Sequence, residues 1–372
     1  MCTWIFYVIL AVILLLQAKP AKRGSWHEDF MSLSVTKGIL GICAIFIVLH
    51  HMAQALDRNA GALGGLAELG VCFVGLFFFI SGYGLYKSLL IKPDYLKGFF
   101  RRRLSAVLVP YFIVNLVFLL FCLAMGDRYT MGELVAHLTG WKMLNTHMWY
   151  VIEIALFYIL FYVIFRFVKI RWAALLIMGA SVTGFVLWSL FLGHGERWFQ
   201  GEWWFNTSLL FVAGMVFAAN EERICRGIKR FYLPVIIFAA IATMVFYKLT
   251  VYMLEHYSYY SEYAYRDGRI CAADKLRCLS VQLPFAFFFT VLVLLITMKL
   301  QFRNRLLDCL GKIALELYLI HNLFIGLFRN PKIVVIKNNT LYVFAVLAAS
   351  MAAAIILHIA DRLLIKAIKG KK

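Results

Sequence analysis

The chain has 372 residues, of which 63% are hydrophobic and only 15% are charged, and its mean hydropathy is +0.82. Soluble domains carry roughly 45–50% apolar and about 25% charged residues, so this composition excludes a soluble globular protein. The net charge is +19, and most of the Lys and Arg residues lie in short loops between apolar runs. This distribution is typical of the signals that orient a protein in a membrane, and it argues against nucleic-acid binding.

Eleven apolar segments come close to the roughly 20 residues that a membrane-spanning helix needs. We therefore predict an all-α polytopic membrane protein with about eleven transmembrane helices. The predicted spans are about 3–18, 36–55, 68–88, 105–126, 147–168, 172–193, 206–220, 231–250, 281–299, 309–328 and 341–364. Residues 1–35 are expected to be a retained anchor helix with a cytoplasmic linker rather than a signal peptide, because they lack a basic n-region and a small-residue cleavage site. Residues 36–372 are expected to form the membrane domain.

The distribution of basic residues predicts that the N-terminus lies outside and the C-terminus in the cytoplasm. In that orientation the inner loops and the tail carry 25 Lys and Arg residues, against 12 on the outer side. The longest loop, about 251–280, is then extracytoplasmic and rich in tyrosine. Its Cys271 and Cys278 could form a disulfide if that compartment is oxidising. The aromatic segment 198–205 is interpreted as an interfacial belt, with a glycan platform as the alternative.

Two adjacent histidines, His50 and His51, lie in the apolar stretch that begins near Lys37. Titratable side chains at membrane depth are costly, so the pair indicates a functional site, and imidazole is suited to moving protons near neutral pH. At about 100° per residue, His51 shares a helix face with Lys37, whereas His50 points away. We therefore expect His51 to be the catalytic histidine and His50 a supporting neighbour.

Two further titratable residues are expected at a similar depth in the outer half of the membrane. Glu153 lies about two turns into its span, and His321 lies more than halfway along another. If these helices pack together, Glu153 or His321 could orient His51 or share its proton. The alternative is that an intramembrane histidine only hydrogen-bonds a neighbouring helix.

Polar and basic residues are predicted to converge at the opposite, cytoplasmic end of the spans. Guanidinium and ammonium groups there would suit an anionic ligand that carries phosphate, although a basic loop is also a common topology signal. The candidate ligand-binding residues are Lys37, Ser81, Tyr83, Arg102 and Arg103. No Cys or His spacing typical of a metal site occurs, so no metal is predicted.

Six motifs in order give the chain a resemblance to the acyltransferase 3 family of integral membrane acyltransferases. They are KGILGICAIFIVLHH, GVCFVGLFFFISGYGL, RRRLSAVLVPY, HMWYVIEIALFY, LLFVAGMVFA and LGKIALELYLIHNL, which together span residues 36–330. By position, His51 matches the essential first-helix histidine of the family, Lys37 stands where many members have Arg, and Arg103 matches the basic residue before the Pro. Two features depart from the family. The Lys37–His51 interval is longer by nearly one helical turn, and a second Arg before Pro110 is absent.

The resemblance implies a ten-helix core in spans two to eleven and a multi-pass protein of the cell (plasma) membrane. It implies transfer of an acyl group, usually acetyl from cytoplasmic acetyl-CoA or another acyl-CoA, to a hydroxyl of an extracytoplasmic polysaccharide, glycan or lipid-linked sugar. The expected partners are membrane lipid and this glycan acceptor, and the sequence leaves the oligomeric state open.

Two other functions remain as alternatives. A transporter or flippase for a lipid-linked sugar could use the buried ionisable groups as a relay, and inverted repeats between the halves would favour it, but none is found in the sequence. A structural or receptor membrane protein would need neither the buried histidines nor Glu153.

Overall fold

The computed structural model describes residues 4–191, 206–257, 265–266 and 269–369. Within these residues the chain forms fourteen α-helices, as the all-α prediction requires. Long apolar runs become helices in a bilayer because a helix pairs its backbone polar groups internally. In chain order, the helices are α1 (Trp4–Leu15), α2 (Leu33–Leu56), α3 (Gly70–Ile91), α4 (Phe99–Ala124), α5 (Met131–Leu138), α6 (Trp149–Phe167), α7 (Arg171–Leu190), α8 (Leu209–Ala219), α9 (Glu221–Arg230), α10 (Tyr232–His256), α11 (Ala272–Lys299), α12 (Arg305–Lys312), α13 (Ala314–Leu327) and α14 (Asn339–Lys369).

Short antiparallel pairings accompany the helices. The two-residue strands are β1 (Lys19–Pro20), β2 (Tyr265–Arg266), β3 (Arg269–Ile270), β4 (Leu300–Gln301), β5 (Arg329–Asn330) and β6 (Val334–Val335). β1 pairs with β4, β2 with β3 and β5 with β6.

Eight of the described helices are long and apolar enough to cross a membrane: α2, α3, α4, α6, α7, α10, α11 and α14. α12 and α13 together would give a ninth span, but they meet at an angle of 71°. The predicted spans 3–18 and 206–220 correspond to α1 and α8, which have only 12 and 11 residues. The fold is therefore that of a polytopic helical membrane protein, and the count of eleven spans stays a prediction.

α2 is the most enclosed of these eight helices. Its most apolar window is 67% buried inside the protein, whereas that of α10 is only 17% buried. α2 packs against α3, α12 and α13, while α10 packs mainly against α11. The histidine pair is thus carried by the central helix of the bundle.

The predicted span 309–328 is broken because α12 lies directly against α2. A Cβ atom added to Gly41 would lie 2.6 Å from the backbone nitrogen of Gly311, so only glycines permit this contact. The side-chain amide of Asn304, at the start of α12, donates to the carbonyls of Ile13 and Leu16 at 2.8 and 2.9 Å. α12 is therefore held by α1 and α2, and α13 runs on in its own direction.

The N-terminal segment packs on the membrane domain. Besides the β1–β4 pairing, the ammonium of Lys299 lies 3.4 Å from the ring centre of Trp26, and the amide of Gln301 donates to Asp29 at 2.9 Å. The predicted anchor and linker, residues 1–35, thus contact α11 and α12 through several polar interactions.

Cys271 and Cys278 are free thiols, so the disulfide considered from the sequence is wrong. Cys271 is the N-cap of α11 and Cys278 is buried within that helix. Seven helical residues separate them by about 10 Å along the axis, whereas bridged cysteines have Cα atoms roughly 4.4–6.8 Å apart. α11 also begins well before residue 280, which shortens the predicted loop. Much of that tyrosine-rich loop and the aromatic segment 198–205 lie outside the described residues.

α3 and α8 touch through their backbones. A Cβ atom on Gly82 would collide with the carbonyl of Phe211, and one on Gly214 would collide with the carbonyl of Phe79. Close approach between small residues is a common means of joining membrane helices, because apolar surface alone gives little attraction in lipid. This contact fixes the short helix α8 to the core.

We predict that Gly82→Ala destabilises the protein by about 1–3 kcal/mol, because the added methyl group overpacks the α3–α8 contact. Gly84→Ala is the matched control on the same helix, since a Cβ atom there meets nothing within 4 Å. Thermal unfolding in detergent, followed by tryptophan fluorescence, should give a lower midpoint for Gly82→Ala only. Equal midpoints for the two variants would contradict the close contact.

Candidate active site

A cavity of about 180 Å³ lies where the C-terminal part of α2 meets the beginnings of α3 and α6. We call this end of the bundle the histidine end, since His50 and His51 line the cavity there. The other polar or aromatic residues that line it are Gln54, Glu68, His147, Trp149, Asn206, Gln282 and Tyr318. The cavity therefore combines imidazoles with carboxamides, a carboxylate and aromatic rings.

A chain of two hydrogen bonds links His51 to the backbone of α13. Nδ1 of His321 lies 2.7 Å from the carbonyl oxygen of Tyr318, and Nε2 of His321 lies 2.7 Å from Nδ1 of His51. A carbonyl only accepts, so Nδ1 of His321 carries a hydrogen and its Nε2 is an acceptor. Nδ1 of His51 must then be the donor, which leaves Nε2 of His51 with a free lone pair.

This arrangement sets the tautomer of His51. A histidine whose Nδ1 hydrogen is held by a fixed acceptor presents a basic Nε2, the arrangement required of a general base. His321 is fully buried, and the rings of His51 and His321 are nearly parallel, at 6°. The structure therefore brings together two of the sequence-predicted residues, His51 and His321, in a geometry suited to proton transfer.

His50 has a different environment. Its Nδ1 donates to the carbonyl of Leu66 at 3.0 Å, in the 3-10 segment Gly61–Leu66. Gly70 packs directly on the ring, and a Cβ atom there would collide with Nε2 of His50. The ring centres of His50 and His51 are 4.8 Å apart, so both histidines contribute to the cavity wall although only His51 joins the chain to α13.

His147 completes the cluster, although the sequence alone does not assign it a role. Its ring centre lies 3.9 Å from that of His51. The segment that carries it is held by Asn145, whose amide donates to the carbonyl of Leu319 at 3.3 Å and whose side-chain oxygen accepts from Asn322 at 3.0 Å. The only available signal was that the His147-Met-Trp-Tyr run begins a span at the same depth as His51.

Glu153 hydrogen-bonds Ser208 rather than a histidine. It is buried in α6, and one carboxylate oxygen accepts a hydrogen bond from Ser208, just before α8. The other oxygen, Oε2, has no hydrogen-bond partner within the described part of the chain. Glu153 therefore joins α6 to the start of α8 and does not hydrogen-bond His51 or His321 here.

The basic candidates lie at the opposite end, which we call the arginine end after Arg102 and Arg103. Arg102 donates to the carbonyls of Tyr95 and Lys97, and Nε of Arg103 donates to the hydroxyl of Tyr95 at 2.8 Å. These partners are neutral oxygens, so both guanidinium groups keep a charge that an anion could neutralise. Lys37 is exposed at the start of α2.

Tyr83 takes part in an ion-pair group rather than in the arginine cluster. Its hydroxyl donates to Glu221 at 3.0 Å, and Lys87 binds the same carboxylate at 2.6 Å. This group ties α3 to the start of α9. The hydroxyl of Tyr83 is therefore bonded to Glu221 here, and its predicted role in ligand binding stays a prediction.

A column of hydroxyl groups joins the two ends of the bundle. The ring of Tyr318, on the cavity wall, packs edge-on against Tyr150 at 5.8 Å, and the hydroxyl of Tyr150 lies 3.4 Å from that of Ser81. Tyr158 follows Tyr150 about two turns along α6 and packs edge-on against Phe99, one turn before Arg103 on α4. Polar groups therefore run from the histidine cavity towards the arginine end through a mostly apolar interior.

Of three comparisons with known proteins, one gives a match. No curated protein and no solved structure gives a significant match. The family model described as an acyltransferase domain, that of the acyltransferase 3 family, matches residues 38–359 and therefore covers α3 to α13, α2 from Gly38 onward and α14 as far as Ile359. The match extends over both the histidine end and the arginine end, and the chain belongs to the acyltransferase 3 family of membrane acyltransferases.

Proposed function

We propose that the protein is an O-acyltransferase that moves an acetyl group from cytoplasmic acyl-CoA to a hydroxyl of an extracytoplasmic polysaccharide or glycan precursor. The observation that carries this proposal is the chain from Nε2 of His51 through His321 to the carbonyl of Tyr318. It supplies an oriented base in a cavity, which is what removal of a proton from a hydroxyl requires.

The proposed chemistry needs one group that acts first as a general base and then as a general acid. The donor supplies a thioester carbonyl carbon. Nε2 of His51 takes the proton of the acceptor hydroxyl while the hydroxyl oxygen attacks the thioester carbon. As the carbon–sulfur bond breaks, the His51 imidazolium returns the proton to the departing sulfur. The products are an ester on the acceptor and a free thiol, and no covalent enzyme intermediate is needed.

Arg102 and Arg103 are the residues expected to hold the phosphates of the donor. Their guanidinium groups have neutral oxygen partners, and guanidinium is suited to bidentate binding of phosphate. The hydroxyl column from Tyr158 to Tyr318 lies between this end and the histidine cavity. We propose that the thioester arm of the donor follows this column.

We further propose an orientation with the histidine end outside and the arginine end in the cytoplasm of a plasma-membrane protein. The excess of basic residues on the loops at the arginine end supports it. α1 and α8 would then complete eleven membrane segments, with α8 as a short one that enters from the histidine end.

The first prediction about activity is that His51→Ala lowers acetyl transfer by about 10²–10⁴-fold, the usual effect of removing a general base. Membranes that contain the wild-type protein or the His51→Ala variant would be supplied with acetyl-CoA labelled in the acetyl group. The label incorporated into extracytoplasmic glycan would then be counted. His256→Ala is the matched control, because His256 is exposed at the end of α10, where it bonds the carbonyl of Tyr252 and stacks on its ring, and it does not line the histidine cavity. Equal labelling by wild type and His51→Ala would reject the catalytic role.

A second prediction tests whether His321 orients His51 through its hydrogen bond or only fills space in the core. Gln can place an amide oxygen where Nε2 of His321 accepts from His51, whereas Leu fills the space without an acceptor. We expect His321→Leu to lose at least about tenfold in kcat and His321→Gln to recover part of it, with a shifted pH profile. If both variants lose activity equally with an unchanged pH profile, His321 has only a structural role.

A third prediction concerns the donor. Arg103→Gln should raise KM for acetyl-CoA about tenfold with little change in kcat, because a charge-assisted contact to the donor is lost. Arg166→Gln, an exposed arginine in the last turn of α6 at the same end, is the control. A fall in kcat with KM unchanged would place Arg103 outside the donor site.

A further inference from the structure

Gln282 is a buried carboxamide on the wall of the histidine cavity. Its side chain belongs to α11 and only 4% of the residue is exposed, yet its Oε1 has no hydrogen-bond partner among the described residues. Leaving a buried acceptor unsatisfied destabilises a protein, so such a group in a binding cavity indicates a partner that arrives with the ligand. A carboxamide oxygen accepts a hydrogen from a hydroxyl or an amide.

The groups around Gln282 suit a polyol better than an anion. Asn206 and Gln54 add two further carboxamides, Trp149 adds an aromatic ring and Glu68 adds a carboxylate. Burial, with the Glu255 carboxylate nearby, raises the pKa of Glu68, so this part of the cavity disfavours a negative charge. Neutral amides bind hydroxyl groups, whereas a carboxylate or a phosphate beside Glu68 would meet the same unfavourable surroundings.

The size of the cavity limits what enters it. At about 180 Å³ it is smaller than the roughly 300–1,000 Å³ of sites for drug-sized ligands. One sugar ring fits this volume better than an oligosaccharide does. Gln282 and His51 line the same small cavity, so a single ring can contact both.

We propose that Gln282 is an acceptor-binding, specificity-determining residue and that the acceptor is an uncharged sugar ring. One ring hydroxyl donates to Oε1 of Gln282 while another hydroxyl of the same ring faces Nε2 of His51. This inference rests on the proposed function, since it names the substrate class of the same cavity. It also gives Gln282 a role in choosing the acceptor that is separate from the chemistry at His51.

The test is direct binding of labelled sugars to the purified full-length protein in detergent. The probes are tritiated trisaccharides of glucose, galactose and N-acetylglucosamine, the charged counterpart trigalacturonate, and a prenyl-phosphate-linked glucose carried in the micelle. The variants are Gln282→Leu, which keeps the volume and removes the amide, and Thr290→Val on the same helix. The Thr290 hydroxyl bonds its own helix at Ala286, so this control loses a buried polar group away from the cavity.

We expect at least one neutral sugar to bind, trigalacturonate to bind at least about tenfold more weakly, and Gln282→Leu to raise the neutral Kd about tenfold. The thermal midpoint of Gln282→Leu should stay equal to or exceed that of wild type, because an unpartnered buried amide is removed. Binding of the prenyl-linked sugar alone would support the inference with a lipid-linked acceptor, and binding of a free trisaccharide would support it with a soluble glycan acceptor.

Three results would overturn the inference: no neutral sugar binds, trigalacturonate binds as well as the neutral sugars, or Gln282→Leu leaves every Kd unchanged. The proposed function fails separately. A protein that binds neutral sugar but transfers no acetyl group to glycan would refute acyl transfer and leave the sugar site intact. A protein that acetylates glycan but binds none of the neutral probes would refute only the sugar site.

Discussion

The hydrogen bond between Nδ1 of His51 and Nε2 of His321 joins two helices that are far apart in the sequence, α2 and α13. His51 is carried by α2, the most enclosed long helix. His321 is carried by α13, which follows α12 at an angle of 71°. α12 itself lies against α2 at the contact between Gly41 and Gly311. The same two parts of the chain are therefore joined twice, by a backbone contact near the arginine end and by two imidazoles at the histidine end.

Apolar residues make up most of the interior of the bundle, and some of its polar groups form a line from one end to the other. Polar groups inside a membrane protein are retained where they bind, conduct or react, because each one is costly in lipid. Tyr318, Tyr150, Ser81 and Tyr158 form such a line from the histidine cavity towards Arg103. The two ends of the site are therefore connected through the protein rather than around it. This connection is what a transfer between two sides of a membrane requires.

Composition and segment hydropathy were sufficient to predict the helical membrane fold and most of its helices. The broken span could not be predicted, because the apolar run 309–328 has no proline and its bend arises from a contact with a distant helix. Helix phase selected His51 over His50, but the hydrogen bond that sets its tautomer depends on α13 and lies beyond the reach of a single helix. The sequence could not predict that Glu153 hydrogen-bonds Ser208, since the rotation of α6 about its axis is fixed by tertiary packing. The sequence did not single out Gln282, because one amide in an apolar helix is inconspicuous by itself. Only the structure shows that its buried Oε1 has no hydrogen-bond partner among the described residues.

The hydrogen-bond chain behind His51 ends at the carbonyl of Tyr318, and a carbonyl oxygen does not take up a proton at ordinary pH. A proton that His51 accepts can move as far as His321 and then has no onward acceptor in the chain. It must return to the cavity from which it came. In the proposed reaction the acyl group passes from the thiol to the acceptor while a proton passes from the acceptor to the thiol, so the exchange moves no net charge and the turnover would be electrically silent. Such an enzyme would work at the same rate in an energised membrane and in a depolarised one.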